Sequence, residues 1–354
     1  MLIFYSPHQR EHRPDTFLAG GAPRAHPDVP ERLDALLSGV EGSAHDIVEP
    51  RDHGLSYVAL VHSERYLEFL SGAHAAWRQL PAASTAVAPN VHPRRAAGDN
   101  YPSSIVGRAG YHLYDMSCPI GEPTWRAVLW NSHSASEAAL RVAQGTAASA
   151  YAMCRPPGHH AGPDYAGGFC YLNNAAIAAS ILRREFARVA VLDVDVHHCN
   201  GTQEIFYDRA DVVVVSLHGD PADFYPFFWG YAGETGAGEG LGSNLNMPLP
   251  RGLGDEEYLE RLEAALQSIR ASGASALVVS LGFDAYERDP LSWLKITTDG
   301  FRRIGSAVAA LGLPTVLVQE GGYFCPDLGR NLAAFLLGFE TNHSTRRSRE
   351  WSGG

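Results

Sequence analysis

Five short apolar runs, most of them rich in valine, recur along the second half of the chain: SAYAMC at 149–154, VAVLDVDV at 189–196, DVVVVSLHG at 211–219, ALVVSLGFD at 276–284 and TVLVQEGG at 315–322. Each has strand length, and each is continuously apolar instead of alternating, the pattern of a strand buried on both faces. Around them lie segments with helical periodicity, at 134–147, 173–186, 255–272, 298–311 and 327–339. Several of these open on Ser, Asn, Thr or Asp, the residues that cap helix N-termini. The alternation predicts an α/β fold: a single domain with a central parallel sheet covered by helices on both faces. Ligands of such sheets bind at the carboxyl ends of the strands.

Two stretches break the pattern. Residues 89–125 are rich in Pro, Gly and Ser without a clean period, and 221–252 join an aromatic cluster, PADFYPFFWG, to a glycine-rich run. A long irregular segment inside a compact domain is usually functional. There is no repeat, low-complexity tract or linker, so the expected organisation is one domain over 1–341 with an irregular insertion at 89–125, followed by a polar tail at 342–354.

Composition narrows the classes. With 354 residues, 45% of them hydrophobic and 19% charged, the chain can bury a large core. Its net charge of −11 argues against a nucleic-acid partner and favours cationic ligands. Five cysteines without paired spacing indicate neither a disulfide framework nor a zinc ribbon, and suit a reducing compartment. The apolar run at the N-terminus is short for a signal sequence, and no segment has the length of a membrane span. A cytoplasmic protein without membrane or nucleic-acid partners is the expectation.

The candidate chemistry sits where the strands end. In LDVDVHHCNG, Asp193, Asp195, His197 and His198 follow an apolar run, and buried carboxylates and imidazoles need partners. If the strand continues, Asp195 and His197 share a face and His198 points elsewhere. One carboxylate and one imidazole are two ligands of a divalent metal such as zinc, and Asp284, past the Val/Leu run at 276–281, is the candidate for a third. Three protein ligands with an open position are the pattern of a catalytic zinc. In RPPGHHAG, Pro156, Pro157 and Gly158 set a rigid turn before His159 and His160, two imidazoles suited to a general base and an electrostatic partner. Tyr323 follows Gly-Gly at another strand end, where a phenol can donate to an oxyanion.

RPPGHHAG, GGFCYLNNAAIAA, LDVDVHHCNGTQEIFY, SLHGD, SLGFDAYERDPL and QEGGY, in this order, resemble the histone deacetylase and acetylpolyamine amidohydrolase superfamily. The class II-like bacterial branch is nearest, and GYAGETGAGEG resembles the acetylpolyamine amidohydrolases in particular. The resemblance implies zinc ligands Asp195, His197 and Asp284, with His160 as general base and acid, His159 as its electrostatic partner and Tyr323 as polariser of the scissile carbonyl. It implies Asp193 behind His159, and Asn200 behind His160 where class I members have aspartate, which leaves His160 less basic. It implies a structural potassium ion at Asp193, Asp195, His197, Ser216 and Leu217, and a second monovalent-ion position near Phe206 and Val212. The implied substrate tunnel is lined by Gly168, Phe169, Tyr225, Leu291 and Gly321, with Tyr225 where Phe is usual. Cys199 stands where Gly is common and reads as a packing variation.

The resemblance further implies hydrolysis of an acetyl amide with release of acetate and free amine. Acetylated polyamines, acetylputrescine or acetylcadaverine, are the expected substrates; Asp99, Asp115 and Glu122 are candidates to meet the distal amine, each reading otherwise as solvated surface charge, and the 89–125 segment is expected to build a homodimer. The alternatives are acetyl-lysine on proteins, a two-manganese ureohydrolase and a catalytically silent binding member.

Overall fold

The computed structural model describes residues 1–93 and 100–350, without the side chains of 343–350. In chain order the strands are β1 (Leu2–Phe4), β2 (Thr16–Ala19), β3 (Ala22–Ala25), β4 (Asp46–Val48), β5 (Ser149–Ala152), β6 (Val189–Asp193), β7 (Val212–Gly219), β8 (Asn244–Leu249), β9 (Ala276–Leu281) and β10 (Thr315–Gln319). The helices are α1 (Glu31–Val40), α2 (Glu64–Trp77), α3 (Ile105–His112), α4 (Thr124–Ala143), α5 (Asn174–Leu182), α6 (Asn200–Phe206), α7 (Asp255–Ser272), α8 (Thr298–Ala309) and α9 (Leu328–Glu350).

Eight strands form one sheet in the order β4-β1-β5-β10-β9-β6-β7-β8, with every neighbouring pair parallel. Strands β2 and β3 make a separate antiparallel hairpin. The two-residue period of a strand sorts the valine runs into two cores. Val189, Val191, Val212, Val214, Val278 and Val316 face α2, α4 and α5, whereas Ala190, Leu192, Val213, Val215, Val279 and Leu317 face α1, α7, α8 and α9. Burying such a side chain is worth about 1.5–3 kcal/mol, so a one-residue slip of any central strand would exchange the two sets against unmatched partners.

Helix starts follow local chemistry. Side chains of Ser63, Ser104, Asn173 and Thr297 accept backbone N–H groups at the first turns of α2, α3, α5 and α8, and Gly273, at φ 73°, closes α7. Several boundaries differ from the sequence expectation. The 89–125 segment contains α3, and α4 begins at Thr124, ten residues early, because the buried face of its first turns carries Asn131, Ser132 and His133 beside few apolar residues. Helix α9 runs through Glu350, so the backbone of residues 342–350 of the expected tail continues the last helix. No described helix is long and apolar enough to cross a membrane.

Since the sheet is parallel, β5, β10, β9, β6 and β7, adjacent in space, end at one edge. There the candidate residues gather.

Candidate active site

Strand β6 stops at Asp193, short of residue 196, because Asp193 Oδ1 accepts the N–H of Asp195 (3.0 Å) and turns the chain. Asp195 Oδ1 repeats the device with the N–H of His197 (2.9 Å). Asp195 and His197 therefore converge through two successive side-chain turns, and the alternation of an extended strand is not what pairs them. Asp284 arrives from the end of β9 and is held by the N–H of Val196 (3.0 Å). His197 Nδ1 lies 3.2 Å from both Asp195 Oδ1 and Asp284 Oδ2, and the ligand atoms of all three residues fall within 4.8 Å of one another.

Both carboxylates are fully buried. Burial and the charge of Asp195 raise the Asp284 pKa. Burial lowers that of His197, but its two carboxylate partners outweigh this and lift it to about 9. The cluster thus demands a positive charge at its centre, and one imidazole nitrogen with two carboxylate oxygens is a donor set that suits zinc. Two glycines let the backbone close on it: a Cβ on Gly321 would lie 2.1 Å from Asp284 Oδ2, and one on Gly282 would lie 2.2 Å from Asp195 Oδ2. Gly321 N–H donates to Asp195 Oδ2 (2.8 Å). Expected in the tunnel wall, Gly321 instead underlies the carboxylates and does not line the cavity.

The tandem histidines follow β5. His159 Nδ1 lies 3.0 Å from Asp193 Oδ2, while His160 Nδ1 lies 2.7 Å from Asn200 Oδ1. Burial pulls both rings down. For His159 the charges of Asp195 and Asp193 outweigh burial and raise it to about 10. For His160 the neighbouring His159 and His197 add to burial, holding it well below the usual imidazole value. One fold thus prepares one cationic and one neutral imidazole side by side, their ring centroids 4.1 Å apart.

A cavity of about 420 Å³ opens over these residues, lined by His160, His197, Tyr323, Gly168, Phe169, Tyr225 and Leu291 among others. Gly168, at φ 55°, is required by closeness: a Cβ there would lie 2.3 Å from the His160 ring. Sequence reasoning missed several lining residues. Phe224 stacks on His197 (4.8 Å, 13°), Phe17 of β2 meets Phe169 edge-on (5.4 Å), and Asp223 is the one carboxylate among the lining residues. The hydroxyl of Tyr225 donates to Asp115 Oδ2 (2.7 Å), which also accepts the N–H of Gly168 (3.2 Å). Asp115 therefore braces both walls. Glu122 is exposed and outside the cavity lining, and Asp99 lies outside the described residues.

Tyr323 is held from behind by residues that also escaped notice. Its N–H donates to Asp289 Oδ2 (2.6 Å), and the Arg32 guanidinium lies 4.9 Å from its ring centre. Arg32 donates to the carbonyls of Gly322 (2.5 Å) and Glu320 (2.8 Å) and pairs with Asp28 (2.6 Å). Asp28 also pairs with Arg155, which precedes the histidine turn. Burial keeps the Tyr323 phenol well above its usual pKa, so it remains a donor. The only signal for Arg32 is an arginine within an otherwise core-facing helical pattern.

In a second close group, His159, Cys170 and Glu320, Glu320 Oε2 accepts the N–H groups of Gly158 and His159. Ser216 stands opposite Asp193 in register, its hydroxyl on His218 Nδ1 (2.8 Å). Leu217, Phe206, Val212 and Cys199 are buried in the core.

Hydrolysis of an unreactive amide needs an activated water, a base beside it and a donor to the developing oxyanion. The arrangement at this sheet edge offers a place for each, and the class so defined is a hydrolase acting on amides.

Relatives narrow the class. Residues 26–339 match the histone deacetylase domain. The chain is 48% identical over 340 residues to the acetylpolyamine amidohydrolase of Burkholderia pseudomallei, covering 96% of this chain and 98% of the relative. It is 42% identical over 340 residues to that of Mycoplana ramosa, covering 96% and 99%. A crystal structure of the Burkholderia pseudomallei acetylpolyamine aminohydrolase superposes with a TM-score of 0.93 at 47% identity, covering 97% of this chain and 99% of that one. The chain belongs to the histone deacetylase family of zinc-dependent hydrolases acting on acetyl amides.

Proposed function

We propose that the protein removes the acetyl group from small acetylated polyamines, such as acetylputrescine and acetylcadaverine, using one zinc ion per chain held by Asp195, His197 and Asp284. The observation that carries the substrate is the cavity itself: aromatic and aliphatic walls fit an alkyl chain, and Asp223 offers a negative charge to a distal ammonium. The names and near-complete coverage of the relatives support the same reading.

When bound, zinc supplies Lewis acidity and lowers the pKa of water. His160, neutral and bound through Nδ1 to Asn200, takes the proton of the attacking water at Nε2. Tyr323 donates its O–H to the developing oxyanion, and His159, held through Nδ1 by Asp193, is the electrostatic partner beside it. His160 then returns the proton to the leaving amine. Phe169 and Tyr225 hold the alkyl chain between them.

A structural potassium ion at Asp193, Asp195, His197, Ser216 and Leu217 belongs to the proposal, supported by the register that sets Asp193 beside Ser216. So does a homodimer through the 89–125 segment, where Val91 is 54% exposed. Sedimentation of a variant lacking that segment should give monomers. Five unpaired, buried cysteines fit a cytoplasmic setting.

The deciding experiment follows acetylputrescine, acetylcadaverine and an acetyl-lysine peptide side by side by mass spectrometry, on zinc-loaded protein with Asp284→Ala as control. Preference for the diamines supports the proposal. Preference for the peptide would overturn the substrate while leaving amide hydrolysis intact.

A further inference from the structure

The hydrogen-bond chain behind His160 does not end at Asn200. Asn200 Nδ2 donates to the hydroxyl oxygen of Tyr165 (3.2 Å), and the Tyr165 hydroxyl donates to Glu204 Oε2 (2.7 Å). Asn200 and Glu204 stand four residues apart, on one face of α6, and clasp the phenol between them. Tyr165 reaches this position because Gly162 has no side chain: a Cβ there would lie 2.2 Å from the Tyr165 ring. The turn is closed by the Gly162 N–H on the Tyr165 carbonyl (3.0 Å).

The chain has a direction, and its far end sets it. An ionised carboxylate can only accept, so the phenol must give its hydrogen to Glu204 and turn a lone pair to Asn200. An amide has one donating and one accepting end, so Asn200 then offers Nδ2 to the phenol and Oδ1 to His160. Since Oδ1 only accepts, the hydrogen of neutral His160 sits on Nδ1, and Nε2 is left bare toward the cavity that His160 lines. With Asn200 reversed, its NH₂ would face Nδ1 and the hydrogen would move to Nε2, where the ring can no longer accept a proton. A histidine partnered by aspartate needs no such arrangement, because a carboxylate has no donating end. The asparagine leaves the sense open, and something beyond it must close it.

We propose that Tyr165 and Glu204 are positioning residues that fix the amide sense of Asn200 and through it the Nδ1–H tautomer of His160. This rests on the reading of His160 as the base, and its first test does not depend on any substrate. In zinc-loaded protein labelled with ¹⁵N-histidine, long-range ¹H–¹⁵N correlation should give His160 as the Nδ1–H tautomer, and Glu204→Gln, whose amide can face either way, should give a mixture. An unchanged tautomer in folded Glu204→Gln and Tyr165→Phe overturns the inference, whatever the enzyme hydrolyses.

The kinetic arm uses whichever acetamide the enzyme turns over best. Both variants should lose about tenfold in kcat, the scale on which outer partners of working histidines act, with KM, zinc content and melting temperature unchanged. A packing role would instead move the melting temperature and spare kcat. In an Asn200→Asp background the orientation no longer needs fixing, so Glu204→Gln should add nothing further. Equal losses from Glu204→Gln in both backgrounds would refute the directional account.

Discussion

Tyr323→Phe isolates a single hydroxyl. The ring is fixed without it: Asp289 holds the backbone N–H, Arg32 covers one face, and Phe169 meets it edge-on at 5.7 Å. The hydroxyl bonds to no other described residue, so its removal should leave the melting temperature unchanged and strand no buried polar partner. Burial keeps the phenol protonated throughout the working range, so the lost group is a donor at every pH of interest. A preorganised oxyanion donor contributes roughly 2.7–4 kcal/mol, which corresponds to a kcat lower by about 100- to 1,000-fold. The assay is steady-state hydrolysis of acetylputrescine with zinc per chain measured on the same sample. A variant with full zinc and undiminished kcat would refute both the role of Tyr323 and the preorganisation argument.

Other perturbations probe the supports. Arg32→Met leaves Asp28 buried with one fewer cation and frees the carbonyls of Glu320 and Gly322; breaking a buried pair costs about 3–5 kcal/mol, and denaturant titration showing no loss would contradict that burden. Gly321→Ala forces a methyl to within 2.1 Å of Asp284 Oδ2, so zinc affinity by chelator competition should fall by about tenfold or more; unchanged affinity would mean the carboxylates move freely. His62 Nε2 accepts the N–H of Asn173 (2.9 Å), and burial lowers its pKa from 6.5 to about 4. The unfolded chain therefore binds the proton first, and this contribution is complete above pH 6.5 and lost as pH falls toward 4, amounting to about 3 kcal/mol. His62→Asn should flatten the acid side of the stability profile by that amount, and an unaltered slope would count against it.

The five central strands were legible because both of their faces are buried, which forces continuous valine and leucine. Strands β1 and β4 have three residues each, too few for a period, and β8 is an edge strand whose Asn244, Asn246 and Pro248 disguise it. The polar residues just past strand ends drew attention because an abrupt change from apolar to acidic or imidazole chemistry is visible locally. What sequence could not reveal were supports set by distance along the chain: Arg32 reaches a carbonyl 288 residues away. Asp115 shows the converse case. By sequence it is one of three carboxylates in the irregular segment that could meet a distal amine or simply face solvent, whereas the fold sets it against the Tyr225 hydroxyl and the Gly168 N–H.

The strand order carries a consequence for biosynthesis. Among the described strands β10 is the latest in chain order, yet it lies between β5 and β9 and leads directly to Tyr323. Until residues 315–319 emerge, β5 and β9 each present an unpaired edge in the middle of the future sheet, and two half-sheets wait to be joined. A nascent chain of this protein should thus remain open and inert toward amides until β10 and Tyr323 have been translated.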